Sequence, residues 1–391
     1  MTANSDVAYG QDSIPLGIRS RFLPGVNGIA VHLLEAGFQQ AGRPCVLLLH
    51  GFPEIAYSWR KVMLPLAEAG FHVVAPDLRG YGRSGGTQVG YDDDLWPFSM
   101  LNFVRDQLAL VSALGYRQVA VVGHDYGSPV AAWCAVSRPD VFRSVALMSA
   151  PFGGTPSLPF NTANQELMTI VSATPSVHDD LAALAEPRKH YQWYYATRAA
   201  NDDMWRCRQG VHDFLRAYYH MKSADWERNR PFPLAAWSAV ELARMPRYYV
   251  MDLHRNMAET VAPEMPSAER IAANRWLPEE ELRVFSAEYA RNGFQGGLQS
   301  YRIGTSPRYS AELELFAGRT IDVPSCFIAG DRDWGTHQRA GRFESMQQSA
   351  CTNLRGVHLI PGAGHWVQQE QPAAVSKVLL EFLGEHHPAR S

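Results

Sequence analysis

The stretch at residues 123–127 constrains the fold of this chain most. It reads Gly-His-Asp-Tyr-Gly and directly follows the apolar run Val-Ala-Val-Val at 119–122. A small residue two positions before and two positions after a nucleophile predicts a tight strand-to-helix turn, which displays the central side chain at the top of a sheet. The displayed group is the carboxylate of Asp125, where such turns usually hold a serine. A carboxylate favours attack on a strained or activated saturated carbon, with an alkyl ester on the enzyme as the product.

Strands and helices alternate around this turn. Short apolar runs predict buried strands, and they lie at residues 45–49, 71–75, 118–123 and 144–148. Apolar residues at helical spacing between 101 and 111, followed by Gly115, predict one of the intervening helices. The order predicts an α/β fold with a mostly parallel, doubly wound sheet flanked by helices.

The pattern changes after residue 154. Residues 155–318 are rich in Trp, Tyr, Met and Arg and predict helices interrupted by prolines, whereas strand–helix alternation returns in 319–391. The sequence therefore predicts a core domain in two parts, 1–154 and 319–391, with a helical lid (cap) domain of residues 155–318 inserted between them.

Composition excludes several classes of partner. The chain has 391 residues, 46% of them hydrophobic, and a net charge of −3, which favours neither nucleic acid nor an anionic membrane as a partner. The five cysteines lack metal-ligand spacing and indicate a reducing compartment. We find no signal-peptide pattern and no apolar run of roughly 18 residues. The expectation is a cytoplasmic protein without metal or cofactor, and a homodimer remains open.

Two later segments supply partners for Asp125. Asp333 follows an apolar strand in the sequence Gly-Asp-Arg-Asp, and His365 follows the last strand in Gly-His-Trp. The order nucleophile, acid, base is that of α/β-hydrolase triads. An imidazole oriented by a carboxylate can take a proton from the water that cleaves an ester on Asp125. Asp331 competes with Asp333 as the orienting acid, but Asp333 lies further beyond the strand end, which favours it.

A third segment, His-Gly-Phe-Pro at 50–53, ends the strand at 45–49. The backbone N–H groups of Phe52 and Tyr126 are candidates for an oxyanion hole. Pro53 supplies no donor, and its peptide bond is a candidate for the cis form.

These residues together resemble the α/β-hydrolase-fold epoxide hydrolases of the soluble type. The resemblance covers nearly the whole chain, including Pro-Asp-Leu-Arg-Gly-Tyr-Gly-Arg-Ser at 76–84. It implies an enzyme that converts a small apolar epoxide and water to a vicinal diol without a cofactor or metal.

The resemblance also implies two lid tyrosines that polarise and protonate the oxirane oxygen. The segment at 293–302 resembles the one that carries the first, which is Tyr301 here. The segment Tyr-Gln-Trp-Tyr-Tyr at 191–195 resembles the other, and Tyr194 aligns best. Tyr191 and Tyr195 are close neighbours and leave this register open.

The substrate pocket is expected to be aromatic. Four residues are predicted to line it: Trp193, Tyr195, Trp334 and Trp366. By contrast, Ser84 formally matches G-x-S-x-G but lacks the strand before it and the helix after it, so we interpret it as structural. His50 and His124 are interpreted as buried hydrogen-bonding supports.

Two other functions compete with this interpretation. A haloalkane dehalogenase on the same fold would also use an aspartate nucleophile, but it typically carries tryptophan where this chain has Tyr126 and a polar residue where it has Phe52. A lidded binding protein without catalysis is the second alternative, and the presence of nucleophile, base and acid candidates argues against it.

Overall fold

The buried apolar runs pair into one sheet. The computed structural model describes Tyr9, residues 13–158 and residues 176–387. Its strands are β1 (Ile18–Val26), β2 (Ile29–Ala36), β3 (Cys45–Leu49), β4 (His72–Pro76), β5 (Val119–His124), β6 (Phe142–Met148), β7 (Arg188–His190), β8 (Val250–Asp252), β9 (Ser325–Gly330) and β10 (Leu354–Ile360).

Eight of these strands form a sheet in the order β1-β2-β4-β3-β5-β6-β9-β10. The β1–β2 and β2–β4 pairs are antiparallel and the other pairs are parallel. Every residue of β3, β4 and β5 is buried, as expected for strands covered on both faces. The predicted α/β-hydrolase fold with a mostly parallel sheet is thereby confirmed.

Helices connect the strands of the large sheet and, with β7 and β8, occupy the described part of the chain between β6 and β9. They are α1 (Arg60–Glu68), α2 (Met100–Ala113), α3 (Gly127–Ser137), α4 (Val177–Ala182), α5 (Tyr191–Tyr195), α6 (Ala199–Trp205), α7 (Gly210–Lys222), α8 (Ala239–Leu242), α9 (Met257–Val261), α10 (Ala268–Ala273), α11 (Glu279–Asn292), α12 (Gln295–Gly304), α13 (Arg342–Ser345), α14 (Val367–Glu370) and α15 (Pro372–His386).

The described residues 176–318, which we call the lid segment, lie against the loops at the carboxyl ends of the strands. The Tyr219 hydroxyl donates to the carbonyl of Pro53, and the Tyr289 hydroxyl donates to that of Glu54. The lid segment also contains a two-stranded antiparallel ribbon of β7 and β8, which the sequence did not predict. These strands are three residues long, too short to show a period.

No helix among the described residues combines the length and the apolar character that crossing a lipid bilayer requires.

Candidate active site

The turn after β5 holds Asp125 in an unusual backbone conformation. Its φ is 50°, in the left-handed region that residues other than glycine rarely occupy. Small neighbours are required here, because a Cβ on Gly123 would overlap the carbonyl of Gly127, and a Cβ on Gly127 would overlap that of Leu49. Backbone strain of this kind is typical of functional sites. The glycines that predicted the turn are therefore those that permit it.

Asp125 contacts two other loops through its two carboxylate oxygens. Oδ1 accepts a hydrogen bond of 2.9 Å from the backbone N–H of Phe52, and Oδ2 lies 3.2 Å from Nε2 of His365. A Cβ on Gly51 would overlap the Asp125 side chain. Burial alone would raise the pKa of the Asp125 carboxyl, but the hydrogen bond to His365 and the positive charges of His365 and Lys222 hold this pKa well below its usual range. The carboxylate is therefore ionised at neutral pH.

His365 is oriented by Asp333. Nδ1 of His365 lies 3.0 Å from Oδ1 of Asp333, which also accepts the N–H of Gly335 at 2.7 Å. When the imidazole is neutral, a proton on Nδ1 leaves Nε2, which faces Asp125, as the basic nitrogen. Burial raises the pKa of Asp333, but the charge and hydrogen bond of His365 outweigh it and lower that pKa overall.

The competing acid, Asp331, lies elsewhere. Its Oδ1 accepts the backbone N–H of Gly362 at 3.0 Å, and its side chain is exposed. The structure thus brings Asp333, not Asp331, to the imidazole.

The loop of residues 50–53 lies beside Asp125. The Phe52 N–H already points at Oδ1 of Asp125, and the Phe52–Pro53 peptide bond is cis, as predicted. Tyr126 follows Asp125 directly in the chain and lines the same cavity. His50 supports this loop, because its Nε2 accepts the N–H of Leu78 at 3.0 Å and its Nδ1 can then donate to the carbonyl of Gly51 at 2.8 Å.

A buried pair, Glu54 and His124, joins the loop of residues 50–53 to the loop of His365. Sequence reasoning did not single out Glu54. Glu54 accepts the N–H of Gly51 at 3.1 Å and lies 2.6 Å from Nδ1 of His124, whose Nε2 donates to the His365 carbonyl at 2.7 Å. Burial disfavours both charges, yet their mutual attraction lowers the pKa of Glu54 and raises that of His124. The sequence signal that could have identified Glu54 is its position directly after His-Gly-Phe-Pro.

Glu370 in α14 is a second residue that the sequence did not single out. Its carboxylate accepts the backbone N–H groups of Gly364 and Trp366, both at 2.9 Å, and that of Ala224 at 2.8 Å. These bonds hold the backbone on either side of His365 and join it to the lid segment.

Two tyrosines of the lid segment line the same cavity as Asp125. The cavity has a volume of about 500 Å³, and Tyr191 and Tyr301 are in its wall with ring centroids 6.0 Å apart. The Tyr191 hydroxyl donates to Oε1 of Gln338 at 3.0 Å and accepts from Nε2 of Gln192 at 3.2 Å. Burial and the negative charge of Asp125 raise the pKa of both phenols, so both are protonated at neutral pH.

Tyr194, the residue predicted from the segment at 191–195, does not line this cavity, which corrects that register. Its hydroxyl donates to Oδ2 of Asp203 at 2.9 Å, and it lines a separate surface pocket in which Lys189 lies over its ring. The acid that binds this hydroxyl belongs to α6, so no local pattern could reveal it. Tyr191, at the start of α5, takes the place expected of Tyr194.

Three of the four aromatic residues expected in the pocket pack elsewhere. Trp193 lines the cavity. Tyr195 instead packs behind Tyr301 with ring centroids 5.0 Å apart. The Trp366 ring packs against the ring of Tyr219 with centroids 4.3 Å apart. The Trp334 ring packs against that of Phe232 with centroids 4.8 Å apart. These indole and phenol rings fill space between core and lid segment, where large apolar surfaces gain most from burial.

Ser84 lies apart from this site. Its hydroxyl donates to the carbonyl of Asp77 at 2.6 Å and accepts the N–H of His32 at 2.9 Å, which is the structural role predicted. Among the described residues, no group of three or more His, Cys, Asp or Glu side chains is arranged to hold a metal ion.

Comparison with known proteins agrees with this geometry. The model of the alpha/beta hydrolase fold family matches residues 44–372. Epoxide hydrolases B and A of Mycobacterium tuberculosis are each 30% identical to this chain over 372 residues, covering 93% and 94% of it and 97% and 98% of their own lengths. A solved epoxide hydrolase from an endophytic Streptomyces is 30% identical, with a TM-score of 0.73 and coverage of 94% of this chain and 96% of its own. The chain therefore belongs to the epoxide hydrolases of the α/β-hydrolase fold.

Proposed function

We propose that this enzyme hydrolyses epoxides to vicinal diols in two steps, through an ester between Asp125 and the substrate. The observation that carries the proposal is that an ionised carboxylate and two protonated phenols, those of Tyr191 and Tyr301, line one cavity. A nucleophile and proton donors together are what the opening of an oxirane requires.

In the first step, Oδ2 of Asp125 attacks a ring carbon while the bond between that carbon and the ring oxygen breaks. The developing alkoxide takes a proton from Tyr191 or Tyr301. The hydrogen bond from Gln192 holds the Tyr191 oxygen in place, and the hydroxyl proton turns from Gln338 to the oxirane oxygen when substrate binds. Most of the catalytic gain comes from holding donor and nucleophile in place before the reaction.

In the second step, His365 takes a proton from water, and the hydroxide attacks the ester carbonyl carbon of Asp125. The backbone N–H groups of Phe52 and Tyr126 stabilise the negative charge on Oδ1. The bond between the carbonyl carbon and the alkyl oxygen breaks, the alkyl oxygen takes the remaining proton of the attacking hydroxide, and the diol leaves. The oxygen of the attacking water stays on the ionised carboxylate of Asp125. The proton on His365 returns through solvent to the phenolate formed in the first step.

The roles of the three tyrosines are separable. Tyr191→Phe and Tyr301→Phe should each lower kcat/KM for styrene oxide by at least about tenfold, because each removes a proton donor from the transition state. Tyr194→Phe should change it by less than about twofold, because that hydroxyl bonds to Asp203. Initial rates of diol formation give kcat/KM for each variant. A large loss in Tyr194→Phe with normal activity in Tyr191→Phe would restore the register predicted from sequence.

The reaction type is tested with two substrates in parallel. Incubation with styrene oxide should give the diol, whereas 1-bromobutane should release no bromide above the rate without enzyme. Bromide release without diol formation would instead assign the protein to haloalkane dehalogenation on the same nucleophile.

A further inference from the structure

One end of the catalytic cavity is cationic. Arg339 and Arg342 line it together with Asp125, and these three are the charged side chains of its wall among the described residues. The structure places no carboxylate of the described residues in an ion pair with either arginine. Arginines that face a cavity without an acidic partner present their N–H donors to whatever occupies the cavity.

The side chain of Arg339 is held in place by contacts with its neighbours. Its Nη2 donates to Oε1 of Gln192 at 2.6 Å, and its guanidinium lies 4.1 Å from the ring centroid of Trp237. Burial and the positive charge of Arg342 lower the pKa of Arg339 to about 10, so it remains a cation at neutral pH. Two neighbouring cations repel each other, and an anion bound between them removes that cost.

The cationic end lies close to the reacting groups. The same Gln192 that accepts from Arg339 donates to the hydroxyl of Tyr191 at 3.2 Å. One side-chain amide therefore separates the guanidinium of Arg339 from a phenol that is proposed to bind the oxirane oxygen. A single small molecule can contact both the Arg339 guanidinium and the Tyr191 hydroxyl.

The remaining wall is largely apolar. It includes four aliphatic or thioether side chains: Met100, Pro129, Ile303 and Leu313. A volume of about 500 Å³ is ample for a molecule with an apolar body and one charged end.

On the basis of the function proposed above, we propose that Arg339 and Arg342 form a carboxylate-binding subsite. The preferred substrates are then epoxides that carry a carboxylate separated from the oxirane by an apolar linker. A planar guanidinium donates two parallel hydrogen bonds to a carboxylate, which selects this anion over a neutral ester of the same shape.

The test compares terminal epoxy carboxylic acids of increasing chain length with the methyl ester of each. We expect at least one acid to exceed its ester in kcat/KM by about tenfold or more. Arg342→Gln and Arg339→Gln should each lower that acid-to-ester ratio by at least about tenfold, since a tenfold change corresponds to the loss of one modest charged interaction.

Arg138→Gln is the matched control. It removes the same charge from an ion pair with Asp140 on the surface, outside the cavity, and should leave the ratio unchanged. If the esters are hydrolysed but no acid is preferred, or if Arg342→Gln keeps the wild-type ratio, the subsite is refuted while epoxide hydrolysis stands.

Calorimetry distinguishes failure of the subsite from failure of the proposed reaction. It measures the binding of the product diol that carries the carboxylate, called the diol acid, and of its methyl ester. We expect the diol acid to bind at least about tenfold more tightly, and less tightly as salt concentration rises. Absence of any epoxide turnover with this binding preference intact would refute the reaction and keep the subsite. Equal binding of acid and ester would refute the subsite.

Discussion

Replacing Asp125 by Asn is expected to lower kcat/KM for epoxide hydrolysis by at least about ten-thousandfold. The amide has no anionic oxygen with which to attack carbon, so the covalent step is lost rather than slowed. Asn is the best choice for this test, because it has the same shape and tolerates a positive φ better than most residues. Fold and cavity should therefore survive, which a melting temperature within a few degrees of wild type would show.

Asp331→Asn is the matched control for this variant. The same atoms change, but on an exposed side chain that accepts the Gly362 N–H, so activity should stay within about twofold. Intact mass of Asp125→Asn must be checked, since deamidation would regenerate the aspartate. Activity above about 1% of wild type in protein shown to be free of deamidation would mean that another group performs the attack.

His365→Gln should separate the two chemical steps. Gln retains a donor near Oδ2 of Asp125 but cannot take a proton from water. We expect the steady-state rate to fall by at least about a thousandfold, while the ester forms and accumulates. Intact mass spectrometry should show the protein gaining the full mass of one epoxide molecule.

His358→Gln provides the comparison, because His358 lies on β10 outside the cavity lining and should show normal turnover and no adduct. If His365→Gln loses turnover without any adduct at any time, ester formation does not precede hydrolysis and the two-step scheme is wrong.

Sequence reasoning succeeded where function depends on local backbone geometry. The strand-to-helix turn around Asp125 requires glycines at fixed spacing, and that spacing is visible in the chain. The relative order of Asp125, Asp333 and His365 along the chain likewise reflects strand ends that meet at one edge of a parallel sheet.

It failed where the position of a side chain depends on a contact with another element. The choice between Tyr191 and Tyr194 turns on Asp203 in the next helix, which binds the Tyr194 hydroxyl. The bond between Glu54 and His124 joins residues 70 positions apart. Neither contact leaves a periodic pattern in the sequence, because each depends on how two separate elements pack, α5 with α6 in one case and β5 with the loop after β3 in the other.

The same limit applies to the cavity wall. Aromatic residues in the loops near His365 are equally consistent with lining a pocket and with filling space behind it. The structure shows that Trp366 stacks on Tyr219, whereas Arg339 and Arg342 face the cavity. Arg339 lies between β9 and α13 and Arg342 begins α13, and no pattern in the sequence distinguishes these two arginines from the others.

The most direct test of covalent catalysis by Asp125 is a single turnover in water enriched in ¹⁸O, with enzyme in excess over epoxide. The covalent mechanism predicts that the first diol released contains no ¹⁸O and that a peptide containing Asp125 gains one labelled oxygen. A labelled diol together with an unlabelled Asp125 peptide would show that water attacks the epoxide directly, and would rule out an ester on Asp125.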